Sequence, residues 1–116
     1  MARTAIPVTT VVRAGITQPA VTYADITNGN YIADNNGRIW VEMANVSNAG
    51  SVDVTFDVSA VYDGDLTIAD LIVAVAVGGT KIAGPFKMGV FNQTDSTMNV
   101  NAGSTGVSFR AYKLST

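Results

Sequence analysis

The sequence predicts an all-β fold: a single-domain antiparallel β-sandwich, jelly-roll or Ig-like, of about eight strands. Three observations carry that expectation. Apolar and polar residues alternate in the clearest segments, as in "SVDVTFDVS" at 51–59, the mark of a strand with one dry and one wet face. Such segments recur at intervals of about 10 residues between glycine, proline and asparagine turns, with no convincing helical period. The length of 116 residues suits one domain, since domains commonly run about 100–150 residues and bury roughly two-thirds of their unfolded surface without staples.

Taken along the chain, "PVTTVVR" at 7–13 reads as an early strand or an extended arm. The division expected is therefore residues 1–16 as amino-terminal arm or first strand and 17–116 as the sandwich. "DNNG" at Asp34–Gly37 is a turn, its Asn and Gly suited to positive φ. "RIWVEMANV" sets Ile39, Val41 and Met43 on one face and Trp40, Glu42 and Ala44 on the other. "SNAGS" is turn chemistry, so 38–46 and 51–59 are expected to pair as a hairpin. In the second of these strands Val52, Val54, Phe56 and Val58 face the core, while Asp53, Thr55 and Asp57 face water. Asp63-Gly64 reads as a further turn.

"LIVAVAV" at 71–77 is apolar on both faces, which predicts a central strand covered twice. Ile68, Leu71, Ile72 and Val75 also fit a helical period, but valine density and the Gly78-Gly79 stop favour the strand. In "KIAGPFKMGV" at 81–90, a strand ending at Ala83 is diverted at Gly84-Pro85, because proline cannot donate to a ladder and glycine relaxes the dihedrals. Phe86 then plugs the end of the sandwich, and Met88, Val90 and Phe91 continue over its rim. "STMNVN" and "TGVSFRAYKL" close the chain; in the latter Val107, Phe109 and Ala111 alternate with Ser108, Arg110 and Tyr112.

Composition excludes several chemistries. The chain has no histidine and no cysteine, so Ser-His and Cys-His centres, disulfides and thiolate metal sites are impossible. Seven basic and nine acidic residues give a net charge of −2 and form no cluster, whereas nucleic-acid binders show a basic face. Nucleic acid is therefore not an expected partner. No apolar stretch of signal-peptide length follows Arg3, and the run at 71–77 is far shorter than the roughly 20 residues that cross a bilayer. The expectation is a soluble product made inside a cell, without a membrane partner. The triplets Asn45-Val46-Ser47 and Asn92-Gln93-Thr94 match a glycosylation pattern and, without a secretory route, read as chance.

Other candidate sites give way to simpler readings. Asp63, Asp65 and Asp70 suggest calcium, but the spaced acids and closing glutamate of a calcium loop are missing. Glu42, Asp53 and Asp57 supply carboxylates for glycoside hydrolysis, yet Asp53 and Asp57 are wet-face positions of a plain strand. "VGGTKIAG" lacks phosphate-loop spacing and reads as a hairpin turn. Trp40, Tyr23, Tyr31, Tyr62 and Tyr112 offer rings for a sugar platform; aromatics in a sandwich more often fill a core or a protein contact. No catalytic residue, metal or cofactor is expected.

The carboxy-terminal part resembles a family of small tailed-phage virion proteins. The matching motifs are Gly84-Pro85-Phe86, Phe91-Asn92-Gln93 and "GVSFRAYKL" from Gly106 to Leu114. Upstream, "NNGRIWVEMAN" is similar to the family's N-D-G-R turn, with Asn36 where the family usually carries Asp. The likeness spans roughly residues 30–114. It implies a β-sandwich on the phage head, a capsid decoration or cement subunit at the capsid surface, made in the host cytoplasm. The implied partner is the major capsid protein, with self-association as dimer or trimer left open. Contact residues expected on this reading are Arg3, Ile6, Val8, Val11 and Arg13 in the amino-terminal segment and Pro85, Phe86, Met88 and Phe91 at the rim. A tail- or fibre-associated adhesin domain binding cell-surface carbohydrate is the alternative.

Overall fold

A computed structural model describes residues 3–33, 35–46, 50–58, 61–62, 66–67, 69–93, 97–104 and 106–114, with the backbone alone at 61, 62, 66, 67 and 114. The strands are β1 Thr4–Ala5, β2 Val8–Val11, β3 Thr22–Tyr23, β4 Asn30–Ile32, β5 Ile39–Asn45 and β6 Val52–Phe56. They continue as β7 Val61–Tyr62, β8 Leu66–Thr67, β9 Leu71–Val75, β10 Thr80–Ala83, β11 Met98–Ala102 and β12 Val107–Leu114. One helical turn, α1 Met88–Phe91, follows β10; the sequence reading anticipated no helix.

Ten of the described strands form two sheets. The first runs β1-β4-β11-β6-β9; the second runs β10-β5-β12-β2, with β3 beside β2 on the same edge of β12. β7 and β8 form a separate ribbon. The sheets are mixed rather than purely antiparallel, because β1 joins β4 and β2 joins β12 in parallel. Both parallel pairs come from the amino-terminal segment, which crosses between sheets at Ile6-Pro7. A proline cannot donate to either ladder, so the crossing sits where hydrogen bonding must break.

The core is what the alternation predicts. Ile39, Val41 and Met43 of β5, Val52, Val54 and Phe56 of β6, and Val107, Phe109 and Ala111 of β12 are all buried. The intervening Asp53 is exposed and Trp40, Glu42, Arg110 and Tyr112 are half-buried. Two expectations need correction. β5 and β6 do not form a hairpin: β5 pairs with β10 and β12, whereas β6 pairs with β9 and β11. Period-two alternation is the same for a hairpin and for two strands facing each other across a core, so the pattern alone could not choose. β9 is also no central strand; it is the outermost strand of its sheet among the described residues, and only Val75 is fully buried.

Asn45 fastens this layer crossing. It is wholly buried, and its Nδ2 donates to the carbonyls of Gly50 and Val75, both at 3.0 Å. Its main chain bonds Gly78 and Gly79 in the turn between β9 and β10. Gly78 has φ of +73°, a conformation that glycine adopts without steric cost.

Candidate interaction surface

The amino-terminal segment is woven into the fold. Ile6 is 2% exposed, between β1 on one sheet and β2 on the other, so residues 4–11 run through both sheets. Arg3 precedes it as a clasp. Its Nη1 donates to the Asn30 carbonyl at 3.1 Å and to Asn101 Oδ1 at 2.7 Å, and its Nη2 lies 3.8 Å from Asp57. Asn101 in turn donates to Asp57. Gly29 makes room for this guanidinium: a Cβ there would strike Arg3 Nη1 and Asn101 Oδ1, and its φ is +83°. Beside the clasp, Asp25 accepts from the Thr4 hydroxyl at 2.7 Å and from the Asn28 and Thr27 amides. These bonds, the Thr4 hydroxyl foremost, favour the charged carboxylate and hold Asp25 below its ordinary value.

The predicted contact residues therefore divide. Ile6 and Phe86 belong to the core, closed to any partner in this fold. Arg3 is spent on the clasp. Val8 and Phe91 pack against the core while half-buried, and Val11 is half-buried in β2. Arg13, Pro85 and Met88 are exposed, as is Val12 beside Arg13.

The exposed residues share one end of the second sheet. β10 pairs Ala83 with Val41, and a Cβ on Gly84 would lie 2.8 Å from both the Ile39 carbonyl oxygen and Trp40 Cα. That sets the Gly84-Pro85 corner level with the start of β5. The same level continues across Ile39↔Lys113 and Lys113↔Thr10 into β2, just before Val11–Arg13. Three strand spacings of about 4.8 Å put the two exposed groups roughly 14 Å apart.

Three of the resemblance motifs meet behind this rim. Asn35 Nδ2 donates to the Phe86 carbonyl at 3.1 Å and to Asn92 Oδ1 at 2.8 Å. Asn92 Nδ2 returns a bond to the Asn35 carbonyl, and Asn35 Oδ1 accepts from the Gly37 amide. The Asn35–Gly37 turn, the Gly84-Pro85-Phe86 corner and the Phe91-Asn92 bend are thus one knot. Phe86 fills its centre, stacked on Phe56 at 4.6 Å and edge-on to Phe91 at 5.2 Å. The Gly84-Pro85 peptide is cis. What the knot presents outward is Pro85, Lys87, Met88 and Gly89, all exposed. The Asn-x-Ser/Thr asparagines are both engaged, Asn45 in the layer crossing and Asn92 here; Ser47 and Thr94 lie outside the described residues.

On the outer face of the second sheet, Trp40 stacks on Tyr112 at 6.0 Å. The Tyr112 hydroxyl donates to Glu42 Oε1 at 2.9 Å, and Arg110 Nη1 lies 3.6 Å from Glu42 Oε2. Desolvation, then the bond to Glu42, raises the Tyr112 phenol above its ordinary value. Arg110 Nε donates to the Pro19 carbonyl, so the loop after β2 is tied down over this face. The carboxylates weighed as a hydrolytic pair stand apart: Glu42 is on the outer face of one sheet, Asp53 and Asp57 on that of the other. Asp70 caps the Val58 amide, while Asp63, Asp65 and the Tyr62 side chain lie outside the described residues. Among the described residues no cluster of three acidic side chains could hold a metal. A shallow cleft of about 250 Å³ opens beside the chain crossing, lined mainly by Pro7, Val8, Ile39 and Lys113.

Sequence reasoning missed one surface. Leu71, Ile72, Val77 and Ile82, on β9, β10 and the turn between them, are exposed. Among the described residues the two strands are edges of the two sheets, and they adjoin each other. Unbroken apolarity in 71–77 was the available signal, and it was read as burial within one chain.

No family model matches this chain, and neither a curated protein nor a solved structure does.

Proposed function

We propose that this protein is a capsid decoration subunit of a tailed phage, acting by surface contact on the outside of the head. One observation carries the reading: three of the four segments that resemble the phage virion family converge on a single buttressed knot holding Pro85, Lys87 and Met88 outward. Such rigidity matters for a contact protein, because a preformed surface loses little conformational entropy on docking. The contact is placed on the rim and on Val12–Arg13, at the same end of the sandwich. The amino-terminal segment serves as a strap within the sandwich instead of an arm that reaches a neighbour.

Mechanically, the subunit bridges adjacent capsid proteins and binds the assembled shell in preference to its parts. Binding one state alone stabilises that state by mass action. A specific contact of this kind covers about 800 Å² on each partner. The test is co-sedimentation of the purified protein with emptied heads of the phage that encodes it. Saturable binding, weakened at least tenfold by Met88→Glu or Arg13→Glu with the fold intact, supports the proposal. Failure to bind heads, or binding untouched by both substitutions, contradicts it. Sugar binding lost on Trp40→Ala would favour the adhesin reading instead.

A further inference from the structure

We infer that β9 pairs with β9 of a second copy of this chain, antiparallel and centred on Val73, joining two sandwiches through one continuous sheet. This goes beyond the capsid reading and does not depend on it. The starting point is a mismatch between sequence and position. "LIVAV" is apolar on both faces, the composition of strands covered on both sides, yet among the described residues β9 lies at the edge of its sheet with Ile72 59% exposed. The single chain does not supply the burial that the residue pattern implies. A second β9 alongside shields part of that surface, giving each outward side chain a cross-strand neighbour.

The other edges carry the devices that discourage pairing. β1 is two residues long and runs into Pro7. β10 carries the exposed charge of Lys81, on the same sheet face as Met43, and runs into Pro85. The opposite edge of the second sheet is split between β2 and β3. Short strands, lysine and proline all blunt an edge. β9 has none of these: it carries no charge, proline or glycine over Leu71–Val75.

The residues fit a copy of themselves. An antiparallel pair centred on Val73 sets Ile72 against the partner's Ala74 on the outer face and Leu71 against the partner's Val75 on the inner one. These two contacts each join a larger side chain to a smaller one, and Val73 meets its own copy at the centre. Asp70 falls beyond the paired residues, across from the partner's Ala76. A parallel pairing would instead set the two Asp70 carboxylates side by side, which is unfavourable. The antiparallel contact has a twofold axis, so it closes at two copies and leaves no further edge of this kind to propagate a filament. Five residues span about 17 Å. That is small beside a standard interface, so a dissociation constant of tens of micromolar is expected.

Sedimentation equilibrium over about 5–500 μM spans that range. The weight-average mass should rise from 12.1 kDa towards twice that value. Ile72→Lys and Ala74→Glu, both at exposed outward positions, should keep the circular dichroism spectrum and each weaken association at least tenfold. An equimolar mixture of the two should dimerise again, because the introduced ammonium and carboxylate face each other in the heterodimer. A wild-type chain that stays monomeric overturns the inference and leaves the edge to a strand of another protein. Association unaffected by either substitution overturns it too, and failure of the mixture to recover overturns the antiparallel register.

Discussion

Replacing Ile6 by Ala tests whether the amino-terminal segment is structural. The side chain is 2% exposed and packs within the main core, at the point where the chain passes from one sheet to the other. The substitution removes three carbons, worth about 0.8 kcal/mol each in transfer free energy, or roughly 2.4 kcal/mol. Incomplete collapse of the cavity adds to this, and measured Ile→Ala changes in cores fall at about 2–5 kcal/mol. We expect about 3 kcal/mol. At about 2.1 cal/mol/K per residue the unfolding entropy of this chain is roughly 0.24 kcal/mol/K, so Tm should fall by about 12 °C. Urea titration should show a lower midpoint at unchanged slope, since the same surface is exposed on unfolding. A loss below about 1 kcal/mol would refute the reasoning, because a segment that detaches without cost is an arm and not a strap. For the same reason, a truncation of residues 1–13 would remove β1, Ile6 and β2 together, confounding binding with folding.

Three other outcomes follow from the geometry. Asn45→Asp replaces a donor to two carbonyls by a buried carboxylate facing them, and should cost about 3 kcal/mol or more by thermal or chemical denaturation. Asn45→Ala should be milder. Gly84→Ala meets both a φ of +130° and backbone atoms of Ile39 and Trp40 at 2.8 Å, and should destabilise by at least about 2 kcal/mol, whereas Gly89→Ala, in open space, should not. Asp25 has a depressed folded pKa, so its contribution is present above the unfolded value of about 3.9 and is lost as pH falls through the lower folded value. The difference in urea midpoint between wild type and Asp25→Asn should therefore shrink as pH is taken from about 6 to 3.

The sequence made the strands legible where one face is dry. β5, β6 and β12 carry strict alternation, and their inward residues are buried, with Ser108 the one outward residue buried beside them. It did not reveal which strands share a sheet, since Val52 and Met43 look alike whether they pair side by side or face to face. It also misplaced β9, because an apolar strand is a statement about burial and not about who provides it. At the rim, the turn residues and the Gly-Pro corner were visible, and Phe86 plugs the core as expected. The knot behind it was not. Asn35 and Asn92 are 57 residues apart, and nothing local in either segment indicates that they meet. The fate of Arg3 was hidden for the same reason, its partners lying 27 and 98 positions away.

The central claim, a protein that works by where it sits on a phage head, is tested most directly by locating it in intact virions. Quantitative mass spectrometry of purified particles, separated into heads and tails, would do so. The account predicts this chain in the head fraction, in copy number commensurate with the major capsid protein. Its absence from particles, or its confinement to the tail fraction, would contradict the account.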